Sequence, residues 1–304
     1  MISNIRPHLI AICLICVAAA ASAQTVIDLR RGGAAVRSKS MDDYAVSGRP
    51  ADALRQDSLD YADCLARAYS HLHADSLAQA RQCFLRALQL RPEAPGNYIL
   101  HRELGKIHLA EGKIHESIGE FDHVLRQFPT DKEARRHRAV CHLALQHPQA
   151  ALDDCLALSQ QALDTASTVE VLFLQAEAHR QLRHFPQVDA DLSRILTLAP
   201  LNANARLLQI LNLEALGQPQ EARNRLNLYL EGHPADVEAL AARADFLLRH
   251  GYPLLAREDA DLAIKLRPNA PSLYLLRAKI SDEMGEKALS SRDRRTALKL
   301  QNSQ

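Results

Sequence analysis

Tryptophan is absent from the 304 residues, and glycine is scarce at 11. Three common catalytic and nucleotide-binding sequence motifs are missing too, since G-x-x-x-x-G-K-[ST], G-x-S-x-G and H-E-x-x-H do not occur. These motifs would mark a phosphate-binding loop, a serine hydrolase and a zinc protease. No catalytic motif therefore supports an enzyme, and no cofactor is predicted.

Excess charge of one sign is also missing. Lys and Arg number 37 against 36 Asp and Glu, a formal net charge of +1 at pH 7. Nucleic-acid binding draws on clustered cations that displace counterions from phosphates. A balanced chain is poorly suited to that task, so we predict no nucleic-acid partner.

Long apolar runs are missing except at the N-terminus. Arg6 and His8 precede an apolar stretch from Leu9 to Ala20, and Ala21-Ser22-Ala23 comes just before Gln24. A cationic start, a short apolar stretch and an A-x-A end are typical of a cleaved secretory signal peptide. The stretch is shorter than the roughly 20 residues of a spanning helix, although an uncleaved anchor stays the alternative.

Three segments follow from this organisation. We predict a signal peptide over residues 1–23, a disordered leader over 24–48 and a repeat domain over 49–304, with no membrane span in the mature chain. The expected location is the periplasm or the outer membrane, with secretion as a further destination.

Four cysteines remain beyond the signal peptide, namely Cys64, Cys83, Cys141 and Cys155. None of the four forms a C-x-x-C, so neither a redox motif nor a zinc knuckle is indicated. Cys64 and Cys83 can lie at one level of a helical hairpin, but Cys64 is predicted to face away from the partner helix. Buried free thiols are the favoured interpretation, while an oxidising compartment leaves disulfides open.

Prolines recur at a fixed interval and end similar segments. LTLAP, LEGHP and IKLRP end at Pro200, Pro234 and Pro268, which are 34 residues apart. LQLRP and LRQFP end in the same way at Pro92 and Pro129. Between prolines, apolar residues at i, i+3 and i+4 form two stripes on either side of a turn, which predicts two helices per unit. Proline ends each second helix because it cannot extend the hydrogen-bond ladder.

Small residues recur where the two helices of a unit are expected to touch. They let helix axes approach to about 8 Å. In first helices they are Ala66, Gly105, Ala139, Ala176, Ala244 and Ala278, and in second helices they are Ala80, Ala151, Ala222 and Ala256.

These features resemble the tetratricopeptide repeat. LGKIHLAEGKIHESIGEFDHVLRQFP carries the pattern best, followed by ILNLEALGQPQEARNRLNLYLEGHP and ADFLLRHGYPLLAREDADLAIKLRP. The resemblance extends from about Asp57 to Leu300. It implies an all-α, right-handed superhelical solenoid of about six helix-turn-helix repeats plus a C-terminal capping helical pair from Pro271. The chain departs from the family in lacking tryptophan, and a related Sel1-like repeat fits less well because its period is longer.

Histidines form a ladder at His108, His142 and His179 on the core stripes of successive units. Equivalent positions in packed neighbours lie about 10 Å apart. Two ligands of one zinc ion, each about 2.1 Å from it, must lie far closer together. We therefore interpret these histidines as packing groups in the tyrosine position of the family and predict no metal site.

Two D-A-D triplets, Asp189–Asp191 and Asp259–Asp261, resemble metal–nucleotide motifs. Both are predicted to lie in second helices, where residues i and i+2 point in divergent directions. We interpret all four aspartates as part of a solvated outer face.

The resemblance implies that the first helices line a concave face. Side chains just off the packing stripe then project into it, basic toward the N-terminal repeats and apolar in the middle. The predicted partner-binding residues are Arg102, Lys106, Arg136, Phe173, Glu177, Leu207 and Leu211. Some family members hold a peptide carboxylate with a lysine–asparagine–arginine clamp, but the asparagines are absent here and His137 stands nearby.

The sequence thus predicts a protein-interaction scaffold of the cell envelope, which binds a peptide or helix of an envelope protein in the groove. Two alternatives stay open. One is a metal-binding or enzymatic protein that uses the histidine ladder, and the other is a passive structural spacer without a peptide groove.

Overall fold

The computed structural model describes the backbone of residues 51–302 and the side chains of residues 59–302. The predictions of a signal peptide at 1–23 and a leader at 24–48 lie outside these described residues. Within the described range every regular element is an α-helix. The helices are α1 (Ala51–His73), α2 (Leu77–Leu90), α3 (Asn97–Ala110), α4 (Ile114–Gln127), α5 (Lys132–Ala144), α6 (Pro148–Ser159), α7 (Thr165–Gln181), α8 (Phe185–Leu198), α9 (Ala203–Ala215), α10 (Pro219–Gly232), α11 (Val237–Arg249), α12 (Pro253–Leu266), α13 (Pro271–Glu283) and α14 (Lys287–Gln301).

These helices form two compact units that divide at Leu182. The described part of the N-terminal unit holds α1 to α7, and the C-terminal unit holds α8 to α14. Within each unit, successive helices pack as hairpins. First helices of neighbouring hairpins also contact each other, α3 with α5 and α5 with α7 in the N-terminal unit, and α11 with α13 in the C-terminal unit. The predicted all-α arrangement of helix-turn-helix repeats with a terminal helical pair is confirmed.

Each repeat proline lies two residues beyond the end of its second helix. Helices α8, α10 and α12 end at Leu198, Gly232 and Leu266, ahead of Pro200, Pro234 and Pro268. The residue before each of these prolines leaves the helical region, with φ between −136° and −137° and ψ between 62° and 79°. A proline ring clashes with a preceding residue in the α conformation, so the prolines fix where the second helices stop.

The turn inside each hairpin contains a residue in the left-handed backbone region. Glycine supplies it at Gly112, Gly217, Gly251 and Gly285, with φ between 74° and 80°. Asp75 and Gln146 take the equivalent place in two further hairpin turns, with φ of 53° and 60°. Arg183, in the segment between α7 and α8, has a φ of 62°. Because glycine lacks a Cβ atom it adopts this conformation at little cost, while the three side-chain-bearing residues are strained there.

The predicted small residues mostly lie where helices touch. Gly105 is buried, and Ala139, Ala244 and Ala278 are fully buried, as are Ala80, Ala151, Ala222 and Ala256 on the second helices. The prediction for Ala66 is wrong, since that residue is exposed. Ala68, two residues later, is fully buried in its place. Position 68 lies 37 residues before Gly105, the same interval that separates Pro92 from Pro129, and is therefore in register with Gly105.

None of the described helices is both long and apolar enough to cross a membrane. The four described cysteines are free thiols, of which Cys141 and Cys155 are buried and Cys64 and Cys83 half-buried. Cys64 packs against the core cluster that holds Ala68 and Phe84. The prediction that Cys64 faces away from its partner helix is therefore wrong.

Candidate interaction surface

Three adjoining first helices of the N-terminal unit position five of the seven predicted partner-binding residues. Arg102 and Lys106 lie on α3, Arg136 on α5, and Phe173 and Glu177 on α7. Because α3 contacts α5 and α5 contacts α7, these side chains lie in register on one face. We call this face, made by residues 102, 106, 133, 136, 170, 173, 177 and 180, the first-helix surface.

The basic residues of α3 are engaged by an acidic residue of the next first helix. Lys106 Nζ lies 3.0 Å from Glu133 Oε1, and Arg102 Nε lies 3.2 Å from Glu133 Oε2. Arg102 Nη1 also donates to Asp131 at 3.1 Å, while its Nε is not aligned for a hydrogen bond despite the short distance. Glu133 thus ties α3 to α5 and neutralises part of the predicted cationic patch.

The electrostatics at Glu133 follow from this engagement. Burial by itself would raise the pKa of this carboxyl group. Lys106 and Arg102 outweigh that effect and hold the Glu133 pKa below its ordinary value. Glu133 is therefore ionised at neutral pH and remains a partner for both cations.

The same design recurs one repeat further along. Arg136 Nη1 donates to Glu170 Oε2 at 2.9 Å, which ties α5 to α7. On α7 itself, Arg180 makes a bidentate pair with the buried Glu177, with N–O distances of 2.7 and 2.6 Å. Phe173 lies one turn from each of these acids and is half-buried. A partly exposed aromatic side chain therefore lies along α7 between the two acidic residues of these ion pairs.

Glu177 makes no outward contact in this arrangement. Only 5% of its surface is exposed, and it accepts hydrogen bonds from Arg180 and Gln181. Its carboxylate holds Arg180 in place, so Arg180 is the more accessible of the two.

The remaining two predicted binding residues belong to the C-terminal unit. Leu207 on α9 is only 5% exposed and forms part of a large apolar core with Leu240 and Phe246. Leu211 is half-buried and packs against the same cluster. A partner would have to displace core neighbours to reach Leu207, whereas part of Leu211 is exposed.

Buried His137 stands behind the first-helix surface on α5. Its ring stacks on Phe121 with the centroids 5.6 Å apart. Burial lowers the pKa of His137 to about 3, and the nearby Arg136 adds to this effect. The imidazole is therefore neutral at pH 7 and serves as a packing group.

The predicted packing role of the histidine ladder fits its surroundings. His108, His142 and His179 are each half-buried. The Nδ1 atoms of His108 and His142 are buried without a hydrogen-bond partner. Residues 59–302 contain no group of three or more histidine, cysteine or acidic side chains placed to hold a metal ion.

Acidic residues of the second helices form a network that the sequence analysis misread. Asp259 is 6% exposed and makes a bidentate pair with Arg243 at 2.7 Å to each oxygen. Asp261, two residues later, accepts from Arg277 of the next first helix at 2.7 Å. The interpretation of this D-A-D triplet as a solvated outer face is wrong for Asp259, because that residue is buried. The two aspartates join α12 to the successive first helices α11 and α13. We call such ion pairs between a first-helix arginine and a second-helix aspartate Arg–Asp staples.

The network repeats with a fixed offset of 16 residues. Arg138 pairs with Asp154 and Asp122, Arg243 with Asp259 and Asn227, and Arg277 with Asp293 and Asp261. In each case the arginine of a first helix reaches the second helix of its own hairpin and that of the preceding one. This recurring Arg–Asp spacing is visible in the sequence and is the signal that could have identified the staples.

Comparisons with known proteins agree with this architecture. A family model described as tetratricopeptide repeat matches residues 102–164. DnaJ homolog subfamily C member 3 from Homo sapiens is 26% identical, over 66% of this chain. The chain spans 42% of the length of that relative.

Among solved structures, a tetratricopeptide repeat protein from Parabacteroides merdae has a TM-score of 0.70 at 23% identity, covering 80% of this chain and 93% of its own. The pilF protein of Pseudomonas aeruginosa has a TM-score of 0.53 at 14% identity, covering 75% of this chain and 99% of its own. At these identities the two structures show a shared fold alone. The match at residues 102–164 and this shared fold show that the chain is built as a tetratricopeptide-repeat fold.

Proposed function

We propose that this protein is an interaction scaffold of the cell envelope, which binds a peptide or helix of a partner protein on the first-helix surface of its N-terminal unit. The tetratricopeptide fold in general supports protein–protein interaction, and stacked repeats present extended binding surfaces. The observation that carries the proposal is half-buried Phe173, which lies on α7 one turn from both Glu170 and Glu177, the acids that pair with Arg136 and Arg180.

Composition supports this surface as a binding site. Aromatic and arginine side chains are enriched among residues that dominate interface energies. Arg136 donates through Nη1 to Glu170, while a guanidinium group carries five N–H donors. A partner carboxylate can therefore be added without breaking the existing pair.

The fixed positions of the charged side chains also support the first-helix surface as a binding site. Glu133 and Glu170 hold Arg102, Lys106 and Arg136 between adjacent first helices. Side chains that are already ordered lose less entropy when a partner arrives. Because the acids also neutralise these cations, an acidic partner has to compete with them, and apolar contact with Phe173 becomes the larger contribution to affinity.

Affinity capture from envelope extract tests the proposal with three forms of the protein. Phe173→Ala combined with Arg136→Glu alters the first-helix surface. Leu156→Ala is the matched control, since Leu156 is 58% exposed on second helix α6. We expect at least one partner to be retained by the wild type and the control and lost from the double variant. Unchanged capture of every partner by the double variant, with its helical circular dichroism preserved, would leave the passive-spacer alternative standing.

The envelope location is supported by the N-terminal sequence pattern. Cleavage after Ala23 is expected to give a cellular protein that begins at Gln24. Mass spectrometry of the protein purified from its own cells measures this directly. A chain that retains Met1 and fractionates with the cytoplasm would contradict the envelope role while leaving the binding surface to be judged by the capture experiment.

A further inference from the structure

Cys64 on α1 and Cys83 on α2 are two thiols brought together by the first hairpin. Both are free and half-buried, and both pack against one cluster that contains Ala68, Ala80 and Phe84. Neither cysteine belongs to the first-helix surface, so the binding proposal does not account for them.

The register of the hairpin places the two thiols at the same level. Ala68 and Ala80 are each fully buried, which marks the point of close contact between α1 and α2. Cys64 precedes Ala68 by one turn, about 6 Å along the helix axis, and Cys83 follows Ala80 by about 4.5 Å. Since the two helices run in opposite directions, both displacements lead away from the turn, and the cysteines differ in level by only about 1.5 Å.

The two cysteines also lie on the sides of α1 and α2 that face each other. Residues three and four apart lie on one side of a helix, so Cys64 shares the face of Ala68, and Cys83 shares the face of Ala80. Alanines at the contact let the helix axes approach to about 8 Å. A disulfide needs Cα atoms within about 7 Å, which facing positions on closely packed helices can provide.

The electrostatics of Cys64 agree with this placement of the two thiols. Burial raises the pKa of the Cys64 thiol, and the interaction with Cys83 raises it further.

We propose that Cys64 and Cys83 are a redox-active thiol pair that closes to a disulfide across the α1–α2 hairpin. A small-molecule disulfide such as oxidised glutathione serves as the oxidant. The thiolate of one cysteine attacks it, forms a mixed disulfide and releases one glutathione. The second cysteine thiolate then attacks the protein sulfur of that mixed disulfide and releases the second glutathione. The protein loses two electrons and two protons, which the two glutathione thiols carry away.

The bond fixes the hairpin at the N-terminal end of the described helices. Helix α1 packs on α2. A covalent link between the two helices prevents α1 from opening independently of α2. The oxidised protein is thus expected to show slower hydrogen exchange in α1 and a higher midpoint of thermal unfolding, by several degrees.

The full-length protein is incubated with oxidised glutathione and then digested with trypsin without reduction. Cleavage at Arg67, Arg81 and Arg86 puts the two cysteines in separate peptides. We expect one linked species joining the peptides that end at Arg67 and Arg86, which disappears after treatment with dithiothreitol. Cys141 and Cys155 should remain thiols, because they are buried in other clusters.

Single variants Cys64→Ser and Cys83→Ser complete the experiment. Each is expected to keep the helical circular dichroism of the wild type and to lose both the linked peptide and the oxidation-dependent change in exchange. Stable glutathione adducts on both cysteines of the wild type, without a linked peptide, would overturn the proposal. So would a linked peptide that leaves the exchange of α1 unchanged.

Discussion

At the residue scale, Gly105 shows how the absence of a side chain sets the spacing of two helices. A Cβ atom at this position would lie 2.6 Å from Phe121 Cε1. Phe121 is fully buried and cannot move aside freely. The hydroxyl of Ser117 also donates to the Gly105 carbonyl at 2.7 Å, so α3 and α4 are held in close contact here.

We expect Gly105→Ala to lower the free energy of unfolding by about 1–3 kcal/mol, the usual cost of overpacking a core. Gly119→Ala is the control, because a Cβ atom there meets nothing within 4 Å. That substitution should instead stabilise α4 by up to ~1 kcal/mol through helix propensity. Urea denaturation measures both, and equal effects of the two changes would contradict the close contact at Gly105.

His137 links pH to stability at the same scale. Its pKa is lowered to about 3 by burial and by Arg136, whereas an unfolded histidine titrates near about 6.5. The unfolded chain therefore binds more protons between these values. Stability from this group is fully present above about pH 6.5 and is lost as the pH falls toward 3.

A loss of about 1–2 kcal/mol between pH 7 and pH 5 is expected from His137. His137→Gln should show a shallower loss over that interval, while exposed His115→Gln should match the wild type. Denaturant titrations at the two pH values compare the three proteins. The same acid dependence in all of them would show that His137 is not the responsible group.

At the scale of elements, the Arg–Asp staples decide how a second helix is tied to its neighbours. Asp259 is nearly buried against Arg243, whereas Asp261 is 49% exposed at its side chain against Arg277. Hydrogen bonds to charged groups in partly buried sites stabilise by about 1.5–3 kcal/mol, and exposed pairs by about 0–1 kcal/mol.

Asp259→Asn is therefore expected to destabilise by about 2 kcal/mol, and Asp261→Asn by less than about 1 kcal/mol. The two changes remove the same charge from one helix, so burial is the variable that separates them. Thermal or urea unfolding provides the comparison. A larger effect at Asp261 would show that the staples are not ranked by burial.

Helix existence and phase could be predicted from the sequence because they depend on local rules. Prolines at 34-residue intervals correctly placed the ends of α8, α10 and α12. The predicted divergence of residues i and i+2 holds for Asp259 and Asp261, which pair with different arginines. Which arginines they pair with depends on which helices adjoin, and helical periodicity does not contain that information.

The candidate surface was predictable only in part for the same reason. The positions of Arg102, Lys106, Arg136 and Phe173 on first helices follow from the repeat phase. Their engagement by Glu133 and Glu170 depends on contacts between helices more than 25 residues apart in sequence, which periodicity does not reveal. Leu207 was predicted to project into the groove because it lies just off the packing stripe, yet local packing buries it.

At the scale of the whole molecule, the described chain consists of two units built from one kind of hairpin. The N-terminal unit carries charged and aromatic groups on its first helices, with Phe173 among them. The first helices of the C-terminal unit carry ion pairs as well, Arg249 with Glu214 and Lys279 with Asp245. At the positions that match Phe173, however, they carry alanine and leucine, such as Ala241 and Leu275. The proposed binding function belongs to the N-terminal unit, since its five predicted residues lie on adjoining helices.

Site-specific photo-cross-linking in living cells tests that assignment most directly. A photoreactive phenylalanine analogue is placed at position 173 on the first-helix surface or, as the control, at position 156 on second helix α6. Our account predicts a protein adduct of defined mass from position 173 and none from position 156. Adducts from position 156 alone, or identical adducts from both positions, would contradict a partner site on the first helices.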